Sequence, residues 1–327
     1  MSATSLEHGS SCPRCWALLA PCSSRCEGCG LAFVRRGGVL DVIGDTLREA
    51  RAAQVEALYT RHPFPGYAPS DDGPTLLDRS RRAPFLAALD RAVGPQATVL
   101  DCGSGTAQLA AFLALAGPRR RVIAVDGCRA SLACADAFRV KARIANLHLV
   151  RAELFDLPLA GRPFEVVVSR GVVHHTPDPA RAIECVARLV APGGMLLLGF
   201  YESLARQLHV LRCRLAKLAG RPVEALDPVL RRADLDREKK DIWIADQYRH
   251  PLEHLLPLPR VVAQLEQLGF RWVRSVPPAV DEDGEGLFDP TPKPGAAAML
   301  ARRLGWLARG LADPDAGLVF VVAQRVR

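Results

Sequence analysis

From residue 97 onward, short apolar runs alternate with longer segments whose apolar positions recur every three or four residues. The runs "ATVLD", "RVIAVD", "LHLVRA", "FEVVVS" and "GMLLLGF" have the length and β-branched content of buried strands. The segments between them have helical spacing. This alternation predicts an α/β fold, a parallel sheet with helices on both faces, with ligands bound beyond the carboxyl ends of the strands. Two helical stretches come earlier, 45–62 ending at Pro63 and 76–94 kinked or restarted at Pro84. Between them "HPFPGYAPSDDGP" is too rich in proline and glycine for a helix, and reads as a rigid connector or a cap. Tyr59, His62, Phe64 and Tyr67 lie in or beside this loop and are candidates for a lid. After residue 201 the alternation breaks for a long, basic, helical stretch at 202–256. It resumes with the helix "PRVVAQLEQLG", the strand "FRWVRSV", the helix "AAAMLARRLGWLARGL" and the strand "GLVFVVAQRV".

The first forty residues follow a different logic. In "CPRCWALLAPCSSRCEGCG", Cys12 and Cys15 form one C-x-x-C turn, and Cys26 and Cys29 form another. Two such turns can offer four thiolates to one ion, a closed tetrahedral site suited to Zn2+, which supplies folding free energy to a segment too short for its own core. Cys22 is either an alternative ligand to Cys26 or a spare thiol. The next stretch, "GLAFVRRGGVLDVI", reads as a short hairpin. The other five cysteines are scattered singly and fit small core residues in a reducing compartment.

Charge and composition change this picture little. Lys and Arg number 43 against 35 acids, a net charge of +8. That suits either an anionic partner such as RNA or an arginine-rich composition, and no continuous basic run decides between them. No apolar stretch approaches the roughly 18 residues of a membrane span. The start "MSATSLEHGSS" lacks the basic and apolar regions of a signal peptide, so a cytoplasmic protein with no membrane partner is expected.

The most informative stretch is "VLDCGSGTAQLA", a strand, a glycine turn and a helix start. A dinucleotide fingerprint would have a third glycine, which is absent here. Asp101 closes the strand, where a carboxylate would repel a pyrophosphate but suit a cationic amino group. The ligand expected is therefore S-adenosylmethionine (SAM) rather than a nicotinamide cofactor. Farther on, His174 and His175 are candidates for a general base or for structural roles. Methyl transfer can also proceed by alignment of nucleophile and sulfonium alone.

Residues 97–200 resemble a class I SAM-dependent methyltransferase domain, of the methyltransferase type 11 kind. The resemblance is carried by "VLDCGSGTA", "VIAVDGC", "LVRAELFDLPL" and "FEVVVSRGVVHHTPDPARAIECVARLVAPGGMLLLGF", in the family's order and spacing. It implies a Rossmann-like sheet in which Asp101, Gly103 and Gly105 hold the methionine end of SAM, and Asp126, with Gly127 beside it, takes the ribose hydroxyls. Glu153 stands where relatives usually have an aspartate contacting the adenine amino group, with Asp156 as the fallback. Leu154 would pack on the adenine face or donate its N–H, and Arg170 and Gly171 would lie beside the transferring methyl. In this resemblance "VHHT" opens the helix after the fourth strand.

Residues 10–44 resemble the zinc ribbon at the front of some rRNA methyltransferases, and that of the activator subunits of tRNA and protein methyltransferases. Five segments follow: a zinc ribbon at 1–44, a helical linker and cap at 45–96, a SAM-binding core at 97–201, a helical insertion over the acceptor at 202–256, and the last part of the sheet at 257–327. The stretch "DQYRHPLEHLLPLPRVVAQLEQLGF" looks like a tail common in bacterial methyltransferases with small or unidentified acceptors. The expected function is transfer of a methyl group from SAM to a small molecule. The alternatives are an RNA or protein methyltransferase docking through its ribbon, and a non-catalytic SAM-binding partner protein.

Overall fold

The computed structural model describes residues 12, 14–15, 17–20, 23–43, 57, 59–61, 63–159, 163–221, 224–233, 235, 237–276, 286–311, 313 and 317–326. Most of the expected helix at 45–62, together with Cys22 and His62, lies outside them. In chain order the strands are β1 (Val34–Arg36), β2 (Val39–Asp41), β3 (Thr98–Cys102), β4 (Arg121–Asp126), β5 (Leu147–Arg151), β6 (Phe164–Arg170), β7 (Val190–Tyr201), β8 (Phe270–Val276) and β9 (Leu318–Arg325). They form one sheet in the order β1-β2-β5-β4-β3-β6-β7-β9-β8. The stretch from β2 through β7 is parallel, as the alternation predicts. The two flanks are not: β1 pairs antiparallel with β2, and β9 runs antiparallel to both β7 and β8. Hydrophobic alternation reports that a strand is buried, not its direction, and antiparallel edges on a parallel sheet are common.

Helices α1 (Gly73–Arg82) and α2 (Pro84–Ala92) are separated only by Ala83, whose backbone is extended because the following proline disfavours the helical region. Next come α3 (Gln108–Ala116), α4 (Arg129–Lys141), α5 (Pro179–Ala187), α6 (Gln207–Ala219), α7 (Arg237–Tyr248), α8 (Leu258–Gln267) and α9 (Ala296–Arg309). Period-two alternation splits the core between the two faces of the sheet. Leu100, Ile123, Val167 and Leu198 pack with α5, α8 and α9 on one face. Val99, Val122, Val168 and Leu197 pack with α1 to α4 on the other. Among the described residues, no helix is long and apolar enough to cross a membrane.

The hairpin of the cysteine-rich segment is built into the sheet: β2 pairs parallel with β5, Val39 opposite Leu149 and Asp41 opposite Arg151. Asp41 is buried and accepts from three arginines, Arg151 at 3.1 Å, Arg36 at 3.2 Å and Arg129 at 3.3 Å. A carboxylate withdrawn from water needs such partners. The insertion leaves the sheet after β7 and returns where Glu202 bridges Leu256.

Candidate functional site

The turn after β3 holds its shape through two glycines. Gly103 has φ +75°, and a Cβ there would lie 2.3 Å from Val172 Cγ2. Gly105 has φ +55°, and its Cβ would lie 2.5 Å from the carbonyl oxygen of Phe64. Both positions therefore exclude any side chain, for conformation and for space. Asp126, at the end of β4, ties the turn down: Oδ2 accepts the Gly105 N–H at 2.8 Å and Oδ1 accepts the Cys128 N–H at 2.7 Å. The "HPFPGY" loop rests on the same turn. Gln108 Nε2 donates to the Gly66 carbonyl at 2.8 Å, the Thr106 hydroxyl donates to the Pro65 carbonyl, and the Tyr67 hydroxyl donates to the Thr106 carbonyl at 3.0 Å. Connector and cap are thus the same structure.

These elements border one cavity of about 1170 Å³. Asp101, Gly103, Gly105, Asp126 and Gly127 line it, and Glu153, Leu154, Arg170 and Gly171 line it too. The nine positions chosen from the sequence therefore meet at one place. Glu153 and Leu154 stand at the start of a short 3-10 turn, Leu154–Asp156, and Asp156 also reaches the cavity. Val42 and Ile43, just past β2, add a wall from the N-terminal hairpin. A single-ligand pocket usually measures roughly 300–1,000 Å³, so this space suits a cofactor together with a second molecule. Asp101 is buried, and burial pushes its carboxyl up to about 7, with Arg170 opposing and Asp126 adding to the rise.

The two histidines differ. "VHHT" does not open a helix: Val173–His175 form a short 3-10 turn, and α5 starts at Pro179, capped by the Asp178 side chain on the Arg181 N–H. Two prolines, Pro177 and Pro179, flank the cap and delay the helix. His174 is fully buried behind the cavity wall, and its Nδ1 accepts the Tyr201 N–H at 3.4 Å. Burial holds it well below the ordinary histidine value. His175 does line the cavity. Its Nδ1 lies 2.7 Å from the Leu252 carbonyl, which can only accept, so the proton sits on Nδ1 and Nε2 carries the lone pair. Burial pushes His175 down to about 4, so it stays neutral near pH 7.

Another part of the cavity lining is made by residues that the motifs did not mark. Trp243, Asp246 and Gln247, on one face of α7, line it with Tyr59, Tyr201 and Arg206. Asp246 accepts from the Tyr59 hydroxyl at 3.1 Å and from Gln247 Nε2 at 2.6 Å. Gln247 also donates to the Tyr201 hydroxyl at 2.9 Å. Burial, the largest influence, raises the Asp246 carboxyl. The Arg206 guanidinium lies 3.3 Å over the Tyr201 ring and bonds Gln247 Oε1 at 2.9 Å and Glu253 Oε2 at 3.0 Å. The one sequence signal for this cluster was an acid and an amide at i+3 and i+4 from a tryptophan in "WIADQ".

The four N-terminal thiols form a separate centre. The sulfurs of Cys12, Cys15, Cys26 and Cys29 all lie within 4.8 Å of one another, with Cys12–Cys29 at 3.6 Å and Cys15–Cys26 at 3.4 Å. Metal–sulfur bonds of about 2.3 Å in a tetrahedron put sulfurs about 3.8 Å apart, so the donor set fits. Gly28 allows the close approach, since a Cβ there would lie 3.2 Å from Cys15 Sγ. Among the described residues the cluster has these four donors, and none of the four thiols reaches the cavity.

Residues 100–198 match the family described as a methyltransferase domain. The sheet, the glycine turn and the strand-end acids are those of the Rossmann-like class I methyltransferase fold. Over 224 residues the chain is 28% identical to an uncharacterized protein of Synechococcus, covering 61% of this chain and 54% of that protein. Over 105 residues it is 31% identical to the ubiquinone/menaquinone biosynthesis C-methyltransferase UbiE of Vibrio campbellii, covering 32% of this chain and 40% of that one. The chain thus spans about half the length, or less, of these curated relatives. Among solved structures, PKMT2 from Rickettsia typhi in complex with AdoHcy aligns with a TM-score of 0.50 at 12% identity, over 75% of this chain and 52% of that one.

Proposed function

We propose that the chain is a SAM-dependent methyltransferase whose acceptor is a small molecule held between the glycine turn and the α6–α7 insertion. The observation that carries this reading is the shared cavity, lined both by the SAM-type turn and by Tyr59, Trp243, Asp246 and Gln247. Bound SAM would supply an electrophilic methyl on a positive sulfur. Asp101 would hold its amino group, Asp126 its ribose and Glu153 its adenine. Arg170 and Gly171 flank the space where the methyl is expected. His175 lines the same cavity, and its unprotonated Nε2 would be the group to take a proton from an acceptor hydroxyl or amine.

The basic count of the insertion supports an RNA acceptor less than it first suggests. Arg206 is buried against Glu253, and Arg212 donates to the Gly310 carbonyl at 2.6 Å. A cavity with room for a cofactor and a second small molecule also favours a small acceptor over a polymer. Labelled SAM incubated with the protein and separated fractions of cell extract tests the reading: label should enter the small-molecule fraction, and exclusive labelling of RNA or protein refutes it. Asp246→Asn and Trp243→Ala should cut that transfer by tens- to a hundred-fold, about 2–3 kcal/mol for a charged hydrogen bond or lost anchor, while leaving SAM affinity nearly unchanged. Equal transfer by both variants would place the acceptor elsewhere.

Asp101 gives the reading a pH signature. Its raised value means that below about pH 7 the free carboxyl is protonated and must lose that proton to bind a cationic amino group. SAM affinity should therefore fall about tenfold per pH unit below 7 and level off above it. Calorimetric titration across that range checks this; an identical slope in Asp101→Asn would assign the proton to another group. For the N-terminal centre we infer Zn2+ on Cys12, Cys15, Cys26 and Cys29, a closed structural site.

A further inference from the structure

Five of the eleven exposed large apolar side chains among the described residues fall on α6, α9 and the residue after α9's cap. On α6 the exposed positions Leu211, Arg214 and Leu218 recur at three- and four-residue intervals and so share one face, and exposed Arg221 follows just past the α6 cap at Gly220. On α9 and its end the exposed positions are Leu300, Leu304, Ala308 and Leu311, again one face. Leu218 is 86% exposed and Leu311 68%. The two helices adjoin: Arg212 of α6 donates to the carbonyl of Gly310, and a Cβ on Gly310 would lie 3.5 Å from Leu208. The sequence neighbours of that bonded pair, Leu211 and Leu311, are both exposed, so the two leucine rows meet at the seam.

The charge on these two helices has one sign. Neither helix contains an aspartate or glutamate. Arg214, Lys217, Arg221 and Arg309 are exposed, whereas Asp227, just beyond α6, is buried and bonded to Trp243 and Tyr248. A second copy of the chain would set cation against cation across such a face. RNA would pair with the arginines but leave the leucines in water, and no aromatic side chain is exposed on these rows for a base to stack on. An anionic lipid surface satisfies both, with leucines in the headgroup–acyl boundary and cations at the phosphates.

We propose that the α6–α9 face docks on an anionic membrane surface. The inference does not depend on the proposed methyl transfer, and it concerns a protein lying on a bilayer rather than spanning it. The expectation of no membrane partner rested on the absence of a span, which this mode does not need.

Sedimentation with vesicles tests it on the full chain. The protein should bind phosphatidylcholine vesicles containing about 30 mol% phosphatidylglycerol, bind pure phosphatidylcholine weakly, and release as salt is raised. Leu218→Glu with Leu304→Glu should abolish binding. Arg214→Gln, Lys217→Gln and Arg309→Gln should each lower it roughly five-fold. All five side chains lie at the surface outside the cavity, and unchanged SAM affinity and melting temperature would certify the fold; Leu211→Gln with Leu311→Gln serves as a milder second pair. The proposal is overturned if the chain ignores anionic vesicles, or if both leucine pairs leave binding intact. It is equally overturned if sedimentation equilibrium finds a dimer that Leu218→Glu dissolves, or if RNA competes with a binding that only the arginine variants lose.

Discussion

Asp126→Ala should lower SAM affinity by about two orders of magnitude in a chain that remains folded. Both carboxylate oxygens hold backbone donors, Gly105 N–H and Cys128 N–H, and in the proposed complex the carboxylate also meets the ribose hydroxyls. Hydrogen bonds to a charged acceptor are worth about 1.5–3 kcal/mol each. Alanine removes the ribose contacts and also frees the glycine turn that must approach the ligand. Asp126→Asn keeps one acceptor oxygen and should recover part of the loss. Calorimetry with SAM decides the matter, and an alanine variant that binds as wild type does would remove Asp126 from the site.

Stripping the metal from the cysteine cluster, or replacing Cys26 with serine, should destabilise the whole chain and not only its first forty residues. Structural zinc contributes about 10–16 kcal/mol of apparent binding free energy to small thiolate modules at neutral pH. Here the module is continuous with the sheet, because β2 covers the edge of β5 and Asp41 neutralises buried Arg151. Losing that carboxylate strands a buried cation, at about 3–5 kcal/mol. The melting temperature should fall by roughly 10 °C or more. SAM affinity should fall with it, since Val42 and Ile43 wall the cavity and Arg151 Nε donates to the Gly127 carbonyl at 3.1 Å. Well under one zinc per chain in metal-replete protein, or an unchanged melting curve after verified removal, would sink the assignment.

What could be read from the sequence was local. The strands, the helices flanking Pro84 and those between strands, the hairpin after Gly30 and the glycine turn are each specified by residues a few positions apart, and each is present among the described residues. The nine cavity-lining positions were legible for the same reason: they lie at or just past the ends of β3, β4, β5 and β6, and a parallel sheet brings those ends together. The misread places are those fixed by distant partners. Nothing in "VHHT" announces that His174 turns inward under Tyr201 while His175 faces outward to the cavity. Nothing in "GVLD" announces Arg151, or in "DQY" announces Tyr59. The direction of β9 was likewise invisible, because an apolar run buried on both faces reads the same in either direction.

The position of β9 has a consequence for how the molecule is made. It lies between β7 and β8, both of which precede it in the chain, and Tyr201 at the end of β7 pairs with Leu318. β7 can join β6 early, but its other edge and all of β8 wait for residues 318–325 to arrive. Until then two apolar strand edges stand open, the condition that invites pairing with a neighbouring chain. Closing so distant a contact is also a slow step in assembly. The half of the sheet that bears the glycine turn can therefore be in place while its far half is still unsealed, and β9 is the keystone that closes it.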